Sequence, residues 1–382
     1  MCFTVRWWHW VGCEYAQVSI GDGASYAPIG AQRSVVAPGE FNFAVAFLDH
    51  GHIYGQANGL LEAGATLSSV YDPDKARVKA FCKKYPQVQI ASSFDEILSD
   101  QSIHLVASAA IPDQRAGIGR QVIDAGKDYF TDKAPFTTVG QLEQIQSLVK
   151  ATGKKYLVYY AERVHNEAAW YAGELIDQGH IGKVLQVLNL APHRLAAKDR
   201  PDWFFEKAHY GGIITDIGSH QVEQFLTYAG CTDATVNFAL TRNCDHPEYP
   251  ELEDFGEFSL TGDNGASFYS RVDWFTPSGM PVWGDGRTFI VGTSGSMEVR
   301  KYVDPMRKAP ASMILLTTEQ ESQEIDCLGT IGFPFFAQMI LDVLNRTENS
   351  MSQDHIFKAA EISLLAQAMA DGKARQLMDS KG

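Results

Sequence analysis

Three side chains stand out for the chemistry their types would perform together. Lys133 sits in Thr131-Asp132-Lys133-Ala134-Pro135, and Asp216 and His220 sit in Gly211-Gly212-Ile213-Ile214-Thr215-Asp216-Ile217-Gly218-Ser219-His220. Oxidising a secondary alcohol removes a hydride and a proton, so a site for it needs a base beside the hydroxyl and a hydride acceptor beside its carbon. Asp216 and His220 are spaced i and i+4, which puts them on one face of a helix, with the carboxylate orienting the imidazole and stabilising its cation. His220 is then the expected proton acceptor, and the charge of Lys133 would polarise the oxygen. Singly, each has a plainer reading: a structural Asp–His hydrogen bond at a domain junction, and a solvated loop lysine.

Side chains so far apart in sequence act together only if regular elements deliver them to one place. From Phe41 to about Tyr160, β-rich runs at 41–48, 66–71, 88–90, 103–110, 128–131 and 154–160 alternate with amphipathic segments near 53–63, 74–85, 94–99, 115–125 and 138–152. The alternation predicts βαβ crossovers and a parallel sheet, with Lys133 at the C-terminal edge where such sheets bind ligands. Beyond Glu162, a helix near 164–178 precedes β-rich runs at 183–190, 234–241, 254–261, 266–275, 287–291 and 296–302. These predict an α+β domain with a large, mostly antiparallel open sheet. Ile356, Ala360, Leu364, Leu365, Ala368 and Met369 form one apolar face of a C-terminal helix. The expected organisation is an irregular N-terminal arm (1–40), an α/β Rossmann domain (41–162) and an α+β substrate and oligomerisation domain (163–382). The arm carries Trp7, Trp8 and Trp10 and no helical or strand period, so its removal is expected to leave folding intact.

Asp49-His50-Gly51-His52-Ile53-Tyr54-Gly55 follows the first run, and Gly51 and Gly55 suit close approach of a pyrophosphate at a helix N-terminus. The strict G-x-G-x-x-G fingerprint is absent. Asp72, 21 residues after Gly51, stands about where a carboxylate binds adenosine ribose hydroxyls, which favours NAD and leaves NADP possible. The expected cofactor contacts are His50, Gly51, His52, Ile53, Tyr54 and Asp72, with Ala110 and Pro112 after the fourth run and Asp132 and Lys133 after the fifth. The alternative is a tight turn and an Asp that caps the helix after Pro73. His50 and His52 have no further ligand at a recognisable spacing, so they are read as solvent-facing and no metal site is expected.

Together with Asn42–Arg163 as a whole, the segments around Lys133 and His220 resemble the glucose-fructose oxidoreductase, inositol dehydrogenase and MocA family (Gfo/Idh/MocA). The resemblance covers nearly everything after residue 40. It implies a nicotinamide-dependent oxidoreductase acting on a sugar, cyclitol or related polyol, with Lys133, Asp216 and His220 matching the family lysine, aspartate and histidine. Asp132 stands where Glu is usual and Pro135 lies one place late, which points to altered backbone geometry, a cis-proline included. Glu162 and Arg163 stand where family members often have an Asn-Arg pair lining the pocket. His193, Arg200 and Trp203, in loops before the Gly211 segment, add hydrogen bonds and an aromatic face for a sugar ring, or form a charged surface loop. Trp274, Trp283 and Asp285 read as sheet and turn residues, and Ser294 as part of a hairpin turn. Rival readings are a member that oxidises a glycoside transiently before restoring the hydride, and a cofactor-binding sensor without turnover.

A formal charge of −14 argues against a nucleic-acid partner, and no apolar run approaches membrane-spanning length. Cys2, Cys13, Cys82, Cys231, Cys244 and Cys327 lack any C-x-x-C spacing, which fits free thiols in the cytoplasm. A small polyhydroxylated substrate and a homo-oligomer, dimer or tetramer, are the expected partners.

Overall fold

The computed structural model describes residues 26–28, 30, 34–307 and 309–373. Strand β1 (Asn42–Ala46) is buried from Phe43 onward, as a central parallel strand covered on both faces must be. The chain then alternates α1 (His52–Glu62), β2 (Thr66–Tyr71), α2 (Lys75–Lys84), β3 (Gln89–Ile90), α3 (Phe94–Ser99), β4 (Leu105–Ser108), α4 (Arg115–Asp124), β5 (Asp128–Asp132), α5 (Val139–Thr152) and β6 (Tyr156–Tyr159). All six strands pair in parallel, in the order β3-β2-β1-β4-β5-β6. The order reverses between β1 and β4, which opens a crevice at their C-terminal ends. Local chemistry fixes the helix ends. Ser93 accepts the Glu96 amide at the start of α3, and Thr138 and Gln141 cap α5 reciprocally.

The second unit begins with α6 (Ala161–Val164), α7 (Glu167–Asp177) and β7 (Val184–Pro192). After α8 (Lys207–Tyr210), a π-turn at Ile214–Gly218 runs directly into α9 (Ser219–Ala229). The remaining strands are β8 (Ala234–Arg242), β9 (Phe255–Gly262), β10 (Ser267–Asp273), β11 (Arg287–Gly292), β12 (Gly295–Arg300), a short β13 (Val303–Asp304) and β14 (Ala309–Pro310) ribbon, β15 (Met313–Thr318) and β16 (Ser322–Asp326). Helices α10 (Pro334–Asn345) and α11 (Gln353–Ala370) follow. Eight strands form one sheet, β16-β15-β12-β11-β7-β10-β9-β8, antiparallel except for the β7–β10 pair. Helix α11 packs on α5 and β6 of the first unit and on α9 and β8 of the second, so its apolar face is covered from both sides. The turn holding Ser294 joins β11 to β12 as a hairpin.

The described residues of the arm form no helix or strand, and they are embedded and not external. The Tyr26 hydroxyl donates to the His165 carbonyl at 2.8 Å, and its ring meets Trp283 and Tyr302 edge-on. Val36 is buried and the Val35 amide donates to the Ala63 carbonyl. Burial here comes from isolated aromatic and branched residues, which leave no period in the sequence. Trp7, Trp8 and Trp10 lie outside the described residues.

Candidate active site

Strand β5 ends at Asp132, so Lys133 leaves the sheet at its C-terminal edge. Arg115, at the start of α4, is fully enclosed and donates to the carbonyls of Ala110 at 2.7 Å, Ala134 at 3.0 Å and Lys133. The cis peptide of this loop is Lys133–Ala134, not a prolyl bond as the displaced Pro135 suggested. From the second unit, the π-turn presents Asp216, whose Oδ1 accepts from Lys133 Nζ at 2.6 Å.

That contact revises the expected pairing. Asp216 belongs to the π-turn and His220 to the α-helix after it, so the i,i+4 register of an ordinary helix does not apply. Asp216 therefore serves Lys133, and Nδ1 of His220 is buried without a hydrogen-bond partner. Burial holds the His220 imidazole well below its ordinary pKa, with Glu162 acting the other way and Lys133 adding to the drop. His220 is neutral near pH 7 and has a lone pair to offer.

Lys133, Asp216 and His220 line one cavity with Glu162, His193, Arg200 and Trp203, so most of the expected substrate residues converge. Burial works against ionisation of Glu162, but Lys301, His220 and His193 outweigh it and hold its carboxyl well below the usual range. Lys301 Nζ, itself fully buried, donates to Glu162 Oε2 at 2.8 Å, and Gln221 donates to the same oxygen at 2.9 Å. Burial pushes His193 down to about 4, opposed by Glu162. The Arg200 guanidinium stacks over Phe204 and Trp274. Arg163 does not join them. It forms a buried bidentate pair with Glu223 at 2.5–2.9 Å, which places it in the packing of α6 against α9.

Several lining residues were not expected from sequence. Trp274 and Trp283, read as sheet and turn residues, face the cavity, as do Tyr26, Arg115 and Tyr302. Nε1 of Trp283, the hydroxyl of Tyr302 and Oε1 of Glu162 are buried without hydrogen-bond partners. Such atoms are costly to leave unpaired and invite a ligand rich in donors and acceptors.

The dinucleotide reading fits the crevice in part. Gly51 caps α1 without a side-chain hydrogen bond and no acid lies in the first turn, so the helix terminus suits an anionic group. Gly55 has another cause: a Cβ there would collide with the Tyr159 hydroxyl. Asp72 lies at the end of β2 as expected, yet its side chain is wholly buried and accepts from the Leu48 and Asp74 amides, each at 2.7 Å, and from Arg77 at 3.3 Å. Its oxygens shape the strand end instead of standing free. His50 and His52 are not solvent-facing. They line the cavity, and both approach Asp132.

Residues 46–160 match the family described as oxidoreductase, NAD-binding Rossmann fold, and residues 170–298 match the GFO/IDH/MocA C-terminal domain. A protein of Erwinia carotovora atroseptica SCRI1043 assigned as an oxidoreductase is 46% identical, with a TM-score of 0.84 over 87% of this chain and 99% of its own. This chain belongs to the GFO/IDH/MocA oxidoreductase family. Its first unit is therefore an NAD-binding Rossmann domain and its second the family's C-terminal domain. Among curated relatives, an uncharacterised oxidoreductase of Schizosaccharomyces pombe is 30% identical over 38% of this chain and 39% of its own length. A D-xylose dehydrogenase of Paenarthrobacter nicotinovorans is 21% identical over 38% and 39%. These matches span well under half of either relative. A levoglucosan dehydrogenase solved with NADH and levoglucosan shares the fold at a TM-score of 0.69 and 16% identity, over 88% of this chain and 97% of its own.

Proposed function

We propose that this oxidoreductase transfers a hydride between NAD and a hydroxyl-bearing carbon of a cyclic polyol or sugar, with NADP as a possible second cofactor. The observation that carries the reading is the Lys133–Asp216 contact at 2.6 Å, made across the two domains beside the neutral His220, whose Nδ1 has no hydrogen-bond partner. Residues Gly51–Tyr54 at the α1 terminus and the Ala110–Pro112 loop would hold NAD, and the bound nicotinamide would supply the hydride acceptor or donor. Lys133 orients the substrate oxygen and stabilises its developing negative charge, and Asp216 fixes where the ammonium points. His220 takes the hydroxyl proton during oxidation and returns it during reduction.

The cavity wall supports a polyhydroxylated substrate. Trp203, Trp274 and Trp283 line it with apolar ring surface against which sugar C–H bonds would pack, and the ionised Glu162 would accept hydrogen bonds from substrate hydroxyls through Oε1. D-xylose and levoglucosan, the substrates named for two relatives, are of this class. The reading places the enzyme in the cytoplasm as a homo-oligomer that engages neither nucleic acid nor membrane. Cys82, Cys231, Cys244 and Cys327 are free, and among the described residues no helix is long and apolar enough to cross a membrane. The test is to incubate the full chain with NAD and a panel of aldoses, anhydrosugars and cyclitols while following the reduced-nicotinamide absorbance. Turnover with at least one member is expected, and a bound cofactor with no turnover on any would favour a sensor.

A further inference from the structure

We infer that Trp283 and Tyr302 determine specificity: with Glu162 and His193 they form a polar cluster that takes two adjacent hydroxyls of the substrate, apart from the hydroxyl that is oxidised. The inference deepens the proposed function and rests on it for which hydroxyl reacts, since Lys133 and His220 claim that one. All four residues line the cavity. Glu162 starts the second unit in α6, His193 directly follows β7, Trp283 lies between β10 and β11, and Tyr302 lies just past β12. Only the sheet order brings them together.

Two of the groups accept hydrogen bonds and two donate them. Nδ1 of His193 lies 3.1 Å from the Ala191 carbonyl, which can only accept, so Nδ1 carries the ring proton. Burial keeps the ring neutral, and Nε2 therefore presents a lone pair. That nitrogen stands 3.6 Å from Oε1 of Glu162, whose carboxyl is ionised. Two acceptors thus face each other with no hydrogen between them, which is unfavourable until a ligand supplies hydrogens to both. On the donor side, Nε1 of Trp283 and the hydroxyl of Tyr302 are buried without hydrogen-bond partners, in side chains of residues only 3% and 2% exposed. An indole nitrogen can only donate. Burial, and next to it the Glu162 charge, hold the Tyr302 pKa well above its ordinary value, so the phenol keeps its hydrogen.

A vicinal diol is the complement of this set. Each hydroxyl gives one hydrogen, to Glu162 or His193, and each oxygen accepts one, from Trp283 or Tyr302, so all four groups are satisfied together. A lone hydroxyl has one hydrogen and leaves an acceptor unmet. An ammonium group has no lone pair and strands both donors, and a carboxylate has no hydrogen and meets the Glu162 charge. The cluster is also held in place, as a selective site requires. The Trp283 and Tyr302 rings lie 4.5 Å apart, Tyr26 closes on them edge-on at 5.9 and 5.4 Å, and the His193 ring is 4.6 Å from Trp283. Lys301 and Gln221 occupy Oε2 of Glu162 at 2.8 and 2.9 Å, which leaves Oε1 for the ligand.

The test reads binding, not turnover. The full chain saturated with NADH, which cannot oxidise an alcohol, is titrated with cyclohexane-1,2-diol, cyclohexane-1,3-diol and cyclohexanol and followed by saturation-transfer NMR. The 1,2-diol should bind several-fold more tightly than either of the others. Tyr302→Phe and Trp283→Phe each delete one donor and keep an aromatic ring, and each should weaken 1,2-diol binding roughly 2–10-fold, the range for one neutral hydrogen bond, while barely moving cyclohexanol. Tyr302→Phe should not lower the melting temperature, because it removes a buried hydroxyl that has no partner, whereas a structural hydroxyl would be missed. Should Trp283→Phe not fold, Tyr302→Phe decides alone. Absent or equal binding of the three probes, or undiminished 1,2-diol affinity in a folded Tyr302→Phe variant, overturns the inference. A 1,2-diol preference without turnover on any polyol would uphold the cluster and count against the hydride-transfer reading, and turnover without that preference would do the reverse.

Discussion

Replacing Lys301 with Met should destabilise the protein strongly, and the deficit should shrink as pH falls. Lys301 is 0% exposed, Glu162 is 4% exposed, and the two charges meet at 2.8 Å. At an effective dielectric constant of about 20, that separation corresponds to roughly 6 kcal/mol of attraction, offset in part by desolvation of both groups. Deleting one partner of such a pair typically costs about 3–5 kcal/mol, because the other charge stays buried. Glu162 keeps the Gln221 donor at 2.9 Å and His193 at 3.6 Å, so the low end, about 3 kcal/mol, is expected. Without Lys301, burial would lift the Glu162 pKa above its unfolded value. A group raised in this way favours the folded state below its unfolded pKa and loses that contribution as pH rises through the folded one. Urea unfolding followed by tryptophan fluorescence should therefore show a larger deficit at pH 7 than at pH 5. Lys301→Met combined with Glu162→Gln should recover most of the loss. A single variant within about 1 kcal/mol of wild type at pH 7, or a double variant no better than the single, would refute the reasoning.

Tyr26→Ala removes a ring packed on Trp283 and Tyr302 and should cost about 3–5 kcal/mol while raising KM more than it lowers kcat, since the residue also lines the cavity. A thermal melt and steady-state kinetics together check this, and an unchanged melt would show the segment to be a detachable arm after all. His193, pushed down to about 4 from an ordinary 6.5, stays neutral when folded while the unfolded chain takes up the proton. Its contribution is complete above about pH 6.5 and is lost as pH falls toward about 4, so His193→Gln should flatten the stability profile in that window. An equal slope in both proteins would contradict this. Asp72→Ser orphans the Leu48 and Asp74 amides and releases Arg77, so the melting temperature should fall and the NADPH-to-NADH affinity ratio should rise. Calorimetric titration giving an unchanged ratio would remove Asp72 from the cofactor site.

The Rossmann half was legible because its doubly covered strands read as short, largely apolar runs set between helices with one apolar face, and Lys133 stands just past the end of such a run. The second half was read less fully. β16 (Ser322–Asp326) is an exposed polar edge strand, and α10 is apolar nearly all round, so neither shows the alternation on which a local reading rests. Most of the residues that line the cavity were legible, but their pairings were not. Asp216 turned to Lys133 because a π-turn breaks the ordinary helical register, and nothing in Ile213–His220 announces that turn. Arg163 was placed by analogy, whereas its partner Glu223 lies 60 residues away. His50 and His52 looked solvated because Asp132 is 80 residues downstream and reaches them only through sheet order. Lys301 and Tyr26 carry no local signal, because their importance comes from what the fold brings against them.

The most direct test of the central claim is turnover of Lys133→Met and His220→Ala on whichever polyol proves a substrate, with NAD affinity measured alongside. Both variants should bind NAD within a few-fold of wild type and lose on the order of 10²–10⁴ in kcat, the usual share of general acid–base catalysis. Because both side chains would act on the same oxygen, the double variant should lose much less than the product of the single losses. Near-normal turnover in His220→Ala with none in Lys133→Met would make the lysine the proton-transfer residue, and near-normal turnover in both would place the chemistry elsewhere.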